Sequence, residues 1–348
     1  MPNDDLKALA LLDNRVLSCY AEARELRVGK MCPPRVAIIY PTYQCNQRCL
    51  GCDYASLRSG VQMTRDELSY CIGQFAALGT LSWDASGGGE PTLHPYIRNA
   101  MEDSFHKWGM AFGLVTNGTR LHDQELCKTL LEHGSYCRVS IESATEAAFN
   151  TYKRPMTKEA SFAAVVDNLK RLLSERKEVK SNLVISYKFT VSAANWQDIP
   201  AAFDLAEELG VDSLQFKAIR NTEWEMTPDE EAKSAAMIDA GKAQHPNLLA
   251  LGNVQRTHLA GKCWLSPLAA TVDPSGNLYV CFYYRHRQDR HWFGNMFETP
   301  LRDLWYGERH MEAIRNIRPA ECNAYDCRFH GYNERMGEVM RDGQLEFI

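Results

Sequence analysis

Cys45, Cys49 and Cys52 lie within eight residues, in "CNQRCLGC", at C-x3-C-x2-C spacing. Three thiols so close suit a metal centre. A structural zinc site takes four protein ligands, commonly from C-x2-C pairs, and closes tetrahedrally. Here the two gaps differ and no neighbour completes a set: Pro33 and Pro34 separate Cys32 from the run, and Cys71 falls inside a helical pattern. An iron–sulfur cluster on three thiolates is the alternative, with one iron open to an exchangeable ligand. Farther on come Cys263, Cys281, Cys322 and Cys327, with Gly276 five residues ahead of Cys281. Brought together, four thiolates would hold a fully ligated [4Fe–4S] cluster or a structural zinc; kept apart, they would be small core residues. The other five, Cys19, Cys32, Cys71, Cys127 and Cys137, read as structural.

The chain has 348 residues, 45% hydrophobic and 24% charged, enough to bury a core without disulfide staples. A net charge of −5 runs against sequence-independent nucleic-acid binding, which needs a cationic surface. The start, "MPNDDLKALALLDNRV", is acidic and amphipathic and lacks the basic region and cleavage site of a secretory signal. No apolar run reaches the roughly eighteen residues of a membrane span. A cytoplasmic location is expected, with neither membrane nor nucleic acid as partner. Thiols there stay reduced, so clustered cysteines point to metal or catalytic use.

The elements that must position these residues alternate along the chain. A helix is expected over residues 5–27, then a breaker at "CPPR". Strand-like runs follow at 36–41, 81–86, 111–116, 136–141, 183–191 and 213–218, separated by helical stretches. Thr64-x-x-Glu67 and Thr227-Pro228-x-Glu230 are helix-start patterns. Strands alternating with helices imply an α/β fold with a parallel sheet and right-handed crossovers. Residues 271–281 read as a β-hairpin turning at Pro274-Ser275-Gly276-Asn277. The expected division is an N-terminal helical extension (1–34), a barrel domain (35–225), a helical linker (226–250), a small cysteine-bearing domain (251–335) and a tail (336–348).

Chemistry-bearing residues recur at the strand ends, where β/α folds place their sites. The second strand runs into "SGGGEPTLHP", where glycines admit close backbone approach and Glu90 follows as an acceptor. The third ends in "TNGT", an Asn-Gly turn at Asn117. The fourth ends in "SIESAT", where alternation puts Ser140 and Glu142 on one side. Arg154 could take a carboxylate, and Lys188 and Lys217 sit in apolar strand patterns as if facing a polar cavity. After Cys281, "FYYRHRQDRHW" is either a solvated face or an anion site built from Arg285, Arg287 and Arg290.

C-x3-C-x2-C after the first strand, followed by Gly88-Gly89-Glu90 at the end of the second, resembles the radical S-adenosylmethionine (SAM) superfamily. The resemblance implies a partial (β/α)6 barrel and a [4Fe–4S] cluster on Cys45, Cys49 and Cys52 whose open iron binds SAM. It implies SAM contacts at Gly88, Gly89, Glu90, Asn117, Ser140 and Glu142, beside which Arg154 is a candidate for the SAM carboxylate and Lys188 and Lys217 for a SAM or substrate anion. An aromatic residue is common in that family just before the third cysteine; this chain has Gly51 there and Tyr54 two positions after Cys52. The later cysteines resemble the twitch and SPASM extensions, which carry auxiliary iron–sulfur clusters, and the short twitch form with one cluster fits four ligands: Cys263, Cys281, Cys322 and Cys327. One of the last two could instead donate a hydrogen atom. With that cluster at the barrel mouth, Arg285 would lie beside the substrate.

The activity so implied is reductive cleavage of SAM to a 5′-deoxyadenosyl radical, which abstracts hydrogen from a substrate. A one-electron reductant such as flavodoxin or ferredoxin would be the partner. The leading expectation is a small-molecule substrate (sugar, nucleoside or aminocyclitol, anionic in one variant), with the auxiliary cluster assisting dehydrogenation. Decarboxylation, deamination or epimerisation are the redox-neutral variants. The second is a peptide-modifying enzyme acting on a ribosomal product. A non-catalytic iron–sulfur sensor is the third, and it gives no reason for the glycines and Glu90.

Overall fold

The computed structural model describes residues 18–341, apart from 59, 221, 257, 259, 260, 324–326 and 328. The six strand-like runs all form strands: β1 Val36–Ile39, β2 Ser82–Ala85, β3 Ala111–Thr116, β4 Tyr136–Ser140, β5 Val184–Val191 and β6 Ser213–Ala218. They pair in chain order, all parallel. The helices between them start where side chains can satisfy the first backbone N–H groups. Thr64 and Glu67 close a capping box on Arg65–Leu78, and Thr227 and Glu230 do the same on Pro228–Gln244.

The sheet continues at both ends, which the strand pattern did not announce. β7, Leu249–Leu251, lies parallel to β6, so the stretch expected as a helical linker is a helix and then a strand of the main sheet. β8, Ala269–Val272, lies parallel to β1, and β9, Asn277–Tyr279, and β10, Trp292–Asn295, follow as an antiparallel meander. The order is β10-β9-β8-β1-β2-β3-β4-β5-β6-β7. The expected hairpin is β8–β9, with Gly276 at φ +83° in its turn. Strands of the small cysteine-bearing region therefore belong to the barrel's sheet, and the β1–β8 pairing sets that region beside the first cysteine loop.

Side chains on one face of the sheet are buried under helices, among them Cys137, Val139, Ile185, Phe189, Leu214 and Phe216. The alternate residues, Arg138, Ser140, Lys188, Thr190, Gln215 and Lys217, are partly exposed and line the concave face. Helix Tyr20–Arg27 packs against helix His330–Arg341, where Tyr332 donates to Cys19 Sγ at 3.1 Å. The last helix thus crosses the expected tail boundary. The expected extension before residue 18 and the tail after residue 341 lie outside the described residues. No described helix is long and apolar enough to cross a membrane.

Candidate active site

The cysteine loop leaves β1 and is sewn to three neighbours. Gly89 N donates to Thr42 O at 3.0 Å and Glu90 N to Gln44 O at 2.7 Å. This approach explains the glycines: a Cβ on Gly89 would stand 2.1 Å from Gln44 O, and one on Gly88 2.4 Å from the Tyr43 ring. Asn117 Nδ2 donates to Asn46 Oδ1 at 2.8 Å, and Asn46 Nδ2 to Thr119 Oγ1 at 3.0 Å, tying the loop to the end of β3. Arg48 N and Leu50 N each donate, at 2.9 Å, to the last turn of helix Glu146–Lys153. Gly51 has φ +59°, and a Cβ there would lie 2.1 Å from Ile219 Cδ1. Ile219 fills the place where the resemblance implied an aromatic ring.

Glu90 is buried and holds these strand ends together. Its Oε1 accepts from Thr92 N (3.1 Å), Thr92 Oγ1 (2.6 Å) and Thr116 Oγ1 (2.7 Å), and its Oε2 from Asn117 N (2.6 Å). A carboxylate has about four acceptor sites, so most of its capacity is used within the protein. Burial raises its carboxyl above the usual range, against the pull of those donors.

Glu142 departs from the expected alternation. β4 ends at Ser140, and Glu142 adopts φ +63°, a left-handed conformation that is strained for a side-chain-bearing residue. Its carboxylate turns to β5, accepting from Thr190 N and pairing with Lys188 Nζ at 3.5 Å. Burial opposes its charge, but Lys188 and then Lys153 outweigh it and hold the carboxyl below its usual range.

The cation beside the loop is Lys153 rather than the expected Arg154. Arg154 caps the helix in left-handed conformation with its side chain exposed. Lys153 is 3% exposed and donates to Ser140 O at 2.7 Å. Phe149, Tyr152 and Lys153 share the helix's buried face at i, i+3, i+4 spacing, which was the available signal. Burial pushes the Cys45 thiol up to about 11, with Glu90 adding to it. Burial likewise raises Cys49, with Lys153 pulling the other way. Such thiols become ligands when a metal supplies the positive charge that deprotonates them.

The later cysteines converge. Cys263, Cys281, Cys322 and Cys327 line one cavity together with Arg287 and His291. Burial, then Cys327, raises the Cys263 thiol to about 11. The cysteines divide by exposure: the seven expected as ligands are partly exposed, and the five read as structural are buried. A single zinc ion would draw its sulfur ligands to about 3.8 Å of one another, given Zn–S bonds of about 2.3 Å. Among the described residues no three His, Cys, Asp or Glu side chains are disposed to hold one ion. Three thiols at one site and four at the other are the donor sets that [4Fe–4S] clusters take.

The three arginines of the loop after Cys281 go to different places. Arg285 clasps the first site, donating to Asp53 O at 3.3 Å and Ser56 Oγ at 3.1 Å. Arg290 pairs at the surface with Glu321. Arg287 points into the four-cysteine cavity. Between the two sites lie five tyrosines that the sequence reading did not group: Tyr40, Tyr43, Tyr54, Tyr279 and Tyr284. Tyr279 and Tyr284 stack at 3.8 Å, and the Tyr43 and Tyr284 hydroxyls meet at 3.1 Å. Tyr54 lies 5.6 Å from Tyr40 and 6.4 Å from Tyr43, centroid to centroid. Lys217 stands 4.3 Å over the Tyr283 ring.

The sequence profile of the radical SAM superfamily matches residues 39–195, and that of an iron–sulfur cluster-binding domain, SPASM, matches residues 263–328. The chain belongs to the radical SAM superfamily. Its two matched domains are of the kinds that bind SAM and [4Fe–4S] clusters. It is 31% identical to Fe-coproporphyrin III synthase of Methanosarcina barkeri over 50% of this chain and 41% of that one. It is 24% identical to the tungsten-containing aldehyde ferredoxin oxidoreductase cofactor-modifying protein of Pyrococcus furiosus over 64% of this chain and 67% of that one. The chain thus spans less than half of the first relative's length. Streptococcus suis SuiB, in its crystal structure with precursor peptide SuiA, shares the fold at TM-score 0.65. That match has 15% identity over 87% of this chain and 72% of SuiB.

Proposed function

We propose that this radical SAM enzyme acts on an anionic small molecule held against the concave face of the sheet. The observation that carries this reading is a row of partly exposed basic side chains on three adjacent strands: Arg138 on β4, Lys188 on β5 and Lys217 on β6. Lys188 pairs with Glu142, Arg138 reaches Gln215 Oε1 at 3.5 Å and Lys217 lies over the Tyr283 ring, and all three supply donors suited to a substrate carboxylate. Lys217 also reaches the ring beside the second cysteine site. The Methanosarcina relative is named for making Fe-coproporphyrin III, a carboxylated tetrapyrrole and so an anionic molecule of the class proposed.

In this reading Cys45, Cys49 and Cys52 hold the cluster that binds SAM, and Cys263, Cys281, Cys322 and Cys327 hold the auxiliary one. Bound there with a one-electron reductant, the cofactors supply hydrogen-atom abstraction from carbon. The chain's own residues do the rest. Glu90, Asn117 and Asn46 fix the loop, Lys153 places positive charge beside its thiolates, and the tyrosine wall with Arg285 closes off water. Cys263, Cys281, Cys322 and Cys327 would hold a cluster able to take up one electron, which an oxidation of the substrate would use and a redox-neutral step would not.

Peptide modification is the second reading, favoured by an open cleft of about 670 Å3 that Tyr43, Tyr279 and Trp292 help line, beside the edge strand β10. An extended peptide could add to such an edge. The test is SAM cleavage by the anaerobic, reconstituted, reduced enzyme. A carboxylated tetrapyrrole should accelerate cleavage at least tenfold over its methyl ester, and Arg138→Gln should erase the difference. Equal rates with acid and ester would defeat the reading; acceleration by a peptide alone would replace it with the second.

A further inference from the structure

Four cysteines and one guanidinium share the second cavity. Arg287 is 5% exposed. Its Nη1 donates to Cys322 Sγ at 3.3 Å and its Nη2 to Tyr283 O at 3.1 Å. Its backbone is fixed as well: Arg287 N donates to Tyr284 O at 2.7 Å, and Arg287 O accepts from His291 N at 2.9 Å. His291 is 3% exposed in the same cavity wall, and its Nδ1 has no hydrogen-bond partner among the described residues. One short turn therefore sets a fixed cation and an imidazole in the wall of the cysteine cavity. Burying a guanidinium costs several kcal/mol unless opposite charge compensates it. A [4Fe–4S] cluster on four thiolates is anionic in both common oxidation states and more so when reduced.

We propose that Arg287 is the positioning residue that sets the reduction potential of the auxiliary cluster, through its hydrogen bond to Cys322 and its fixed charge. The proposal rests on the reading that these four cysteines hold that cluster. Hydrogen bonds to ligand sulfur and nearby positive charge both stabilise the form with the extra electron. They therefore raise the potential and make the auxiliary cluster the readier acceptor of one electron from an external reductant. Arg285 and Arg290, two residues before it and three after, lack this role because their guanidinium groups are engaged elsewhere.

The test is a redox titration of the full-length anaerobic enzyme with dithionite as the electron donor, each cluster being followed by its electron paramagnetic resonance signal. In Arg287→Gln the auxiliary midpoint should fall, while the midpoint of the SAM-binding cluster and the iron content stay unchanged. Arg287→Lys keeps the charge but loses the planar fork, and its midpoint should fall between the two. Full iron with an unmoved auxiliary midpoint in Arg287→Gln would overturn the proposal. If that variant loses auxiliary iron, Arg287→Lys decides: retained iron with a lowered midpoint supports it. Retained iron with an unmoved midpoint, or loss of iron from both variants with native circular dichroism, would reduce Arg287 to a structural role. Wild-type protein whose Cys281→Ala variant loses no iron would instead defeat the underlying reading of the ligands.

Discussion

At the first cysteine site three thiols lie within eight residues on one loop leaving β1; at the second, four come from segments spread over residues 263 to 327. The first is shaped by what surrounds it: glycines that let the β2 end press against the loop, Glu90 knotting β2 to β3, and Asn117 reaching Asn46. The second is shaped by long-range assembly: β8 docks on β1, β9 and β10 fold back, and Ile317, Cys322 and Cys327 from the C-terminal region join the cavity lining. Each has a buried cation beside it, of a different kind. Lys153, a point charge, bonds a backbone carbonyl near the first set, whereas Arg287, a planar fork, bonds a cysteine sulfur in the second. On the proposed reading, the site that would bind and release SAM is built on a local loop, and the site that would keep its cluster is enclosed by distant parts of the chain.

The strongest way to break this comparison is to remove one ligand set. Cys45, Cys49 and Cys52 all changed to alanine should abolish SAM cleavage and leave about four of about eight irons, measured by iron assay and spectroscopy. Loss of all iron would mean that the two sites do not assemble independently. Next in size, Gly89→Val puts a side chain into the Gln44 carbonyl. It should cost about 1–3 kcal/mol or more in stability and at least tenfold in SAM cleavage, with the auxiliary spectrum retained.

Glu90→Gln sharpens what the first site needs. Replacing an acceptor-only carboxylate by an amide sets N–H against N–H and O–H donors, so about 1–3 kcal/mol should be lost, read as a lower Tm without SAM. An unchanged Tm with impaired cleavage would instead make Glu90 a cofactor contact alone. A smaller effect is expected from Lys188→Met, read through pH. Because Glu142's carboxyl lies low in the folded enzyme, its stabilisation is present above the ordinary carboxylate pKa and fades as pH falls through the folded value. Removing Lys188 should lift that folded value and move the acid-unfolding midpoint upward; an unmoved midpoint would show that Lys153 suffices. Arg290→Ala, which removes the exposed pair with Glu321, should leave Tm and both clusters unchanged.

Local spacing determined much of this protein. The β-branched runs marked six parallel strands, Thr64–Glu67 and Thr227–Glu230 marked two helix starts, and the cysteine pattern with Gly88-Gly89-Glu90 marked the family. Each of these is a relation between residues close in the chain, where dihedral preference and capping act. Tertiary structure alone decided that β7 and β8 extend the sheet, that Lys153 and not Arg154 is buried beside the cysteine loop, and that Glu90 spends its carboxylate on neighbouring strand ends. It also sent Arg285, Arg287 and Arg290 to three different partners, although they stand within six residues. Strand partners and the burial of a long flexible cation depend on which distant backbone comes to lie beside them, and no local spacing records that.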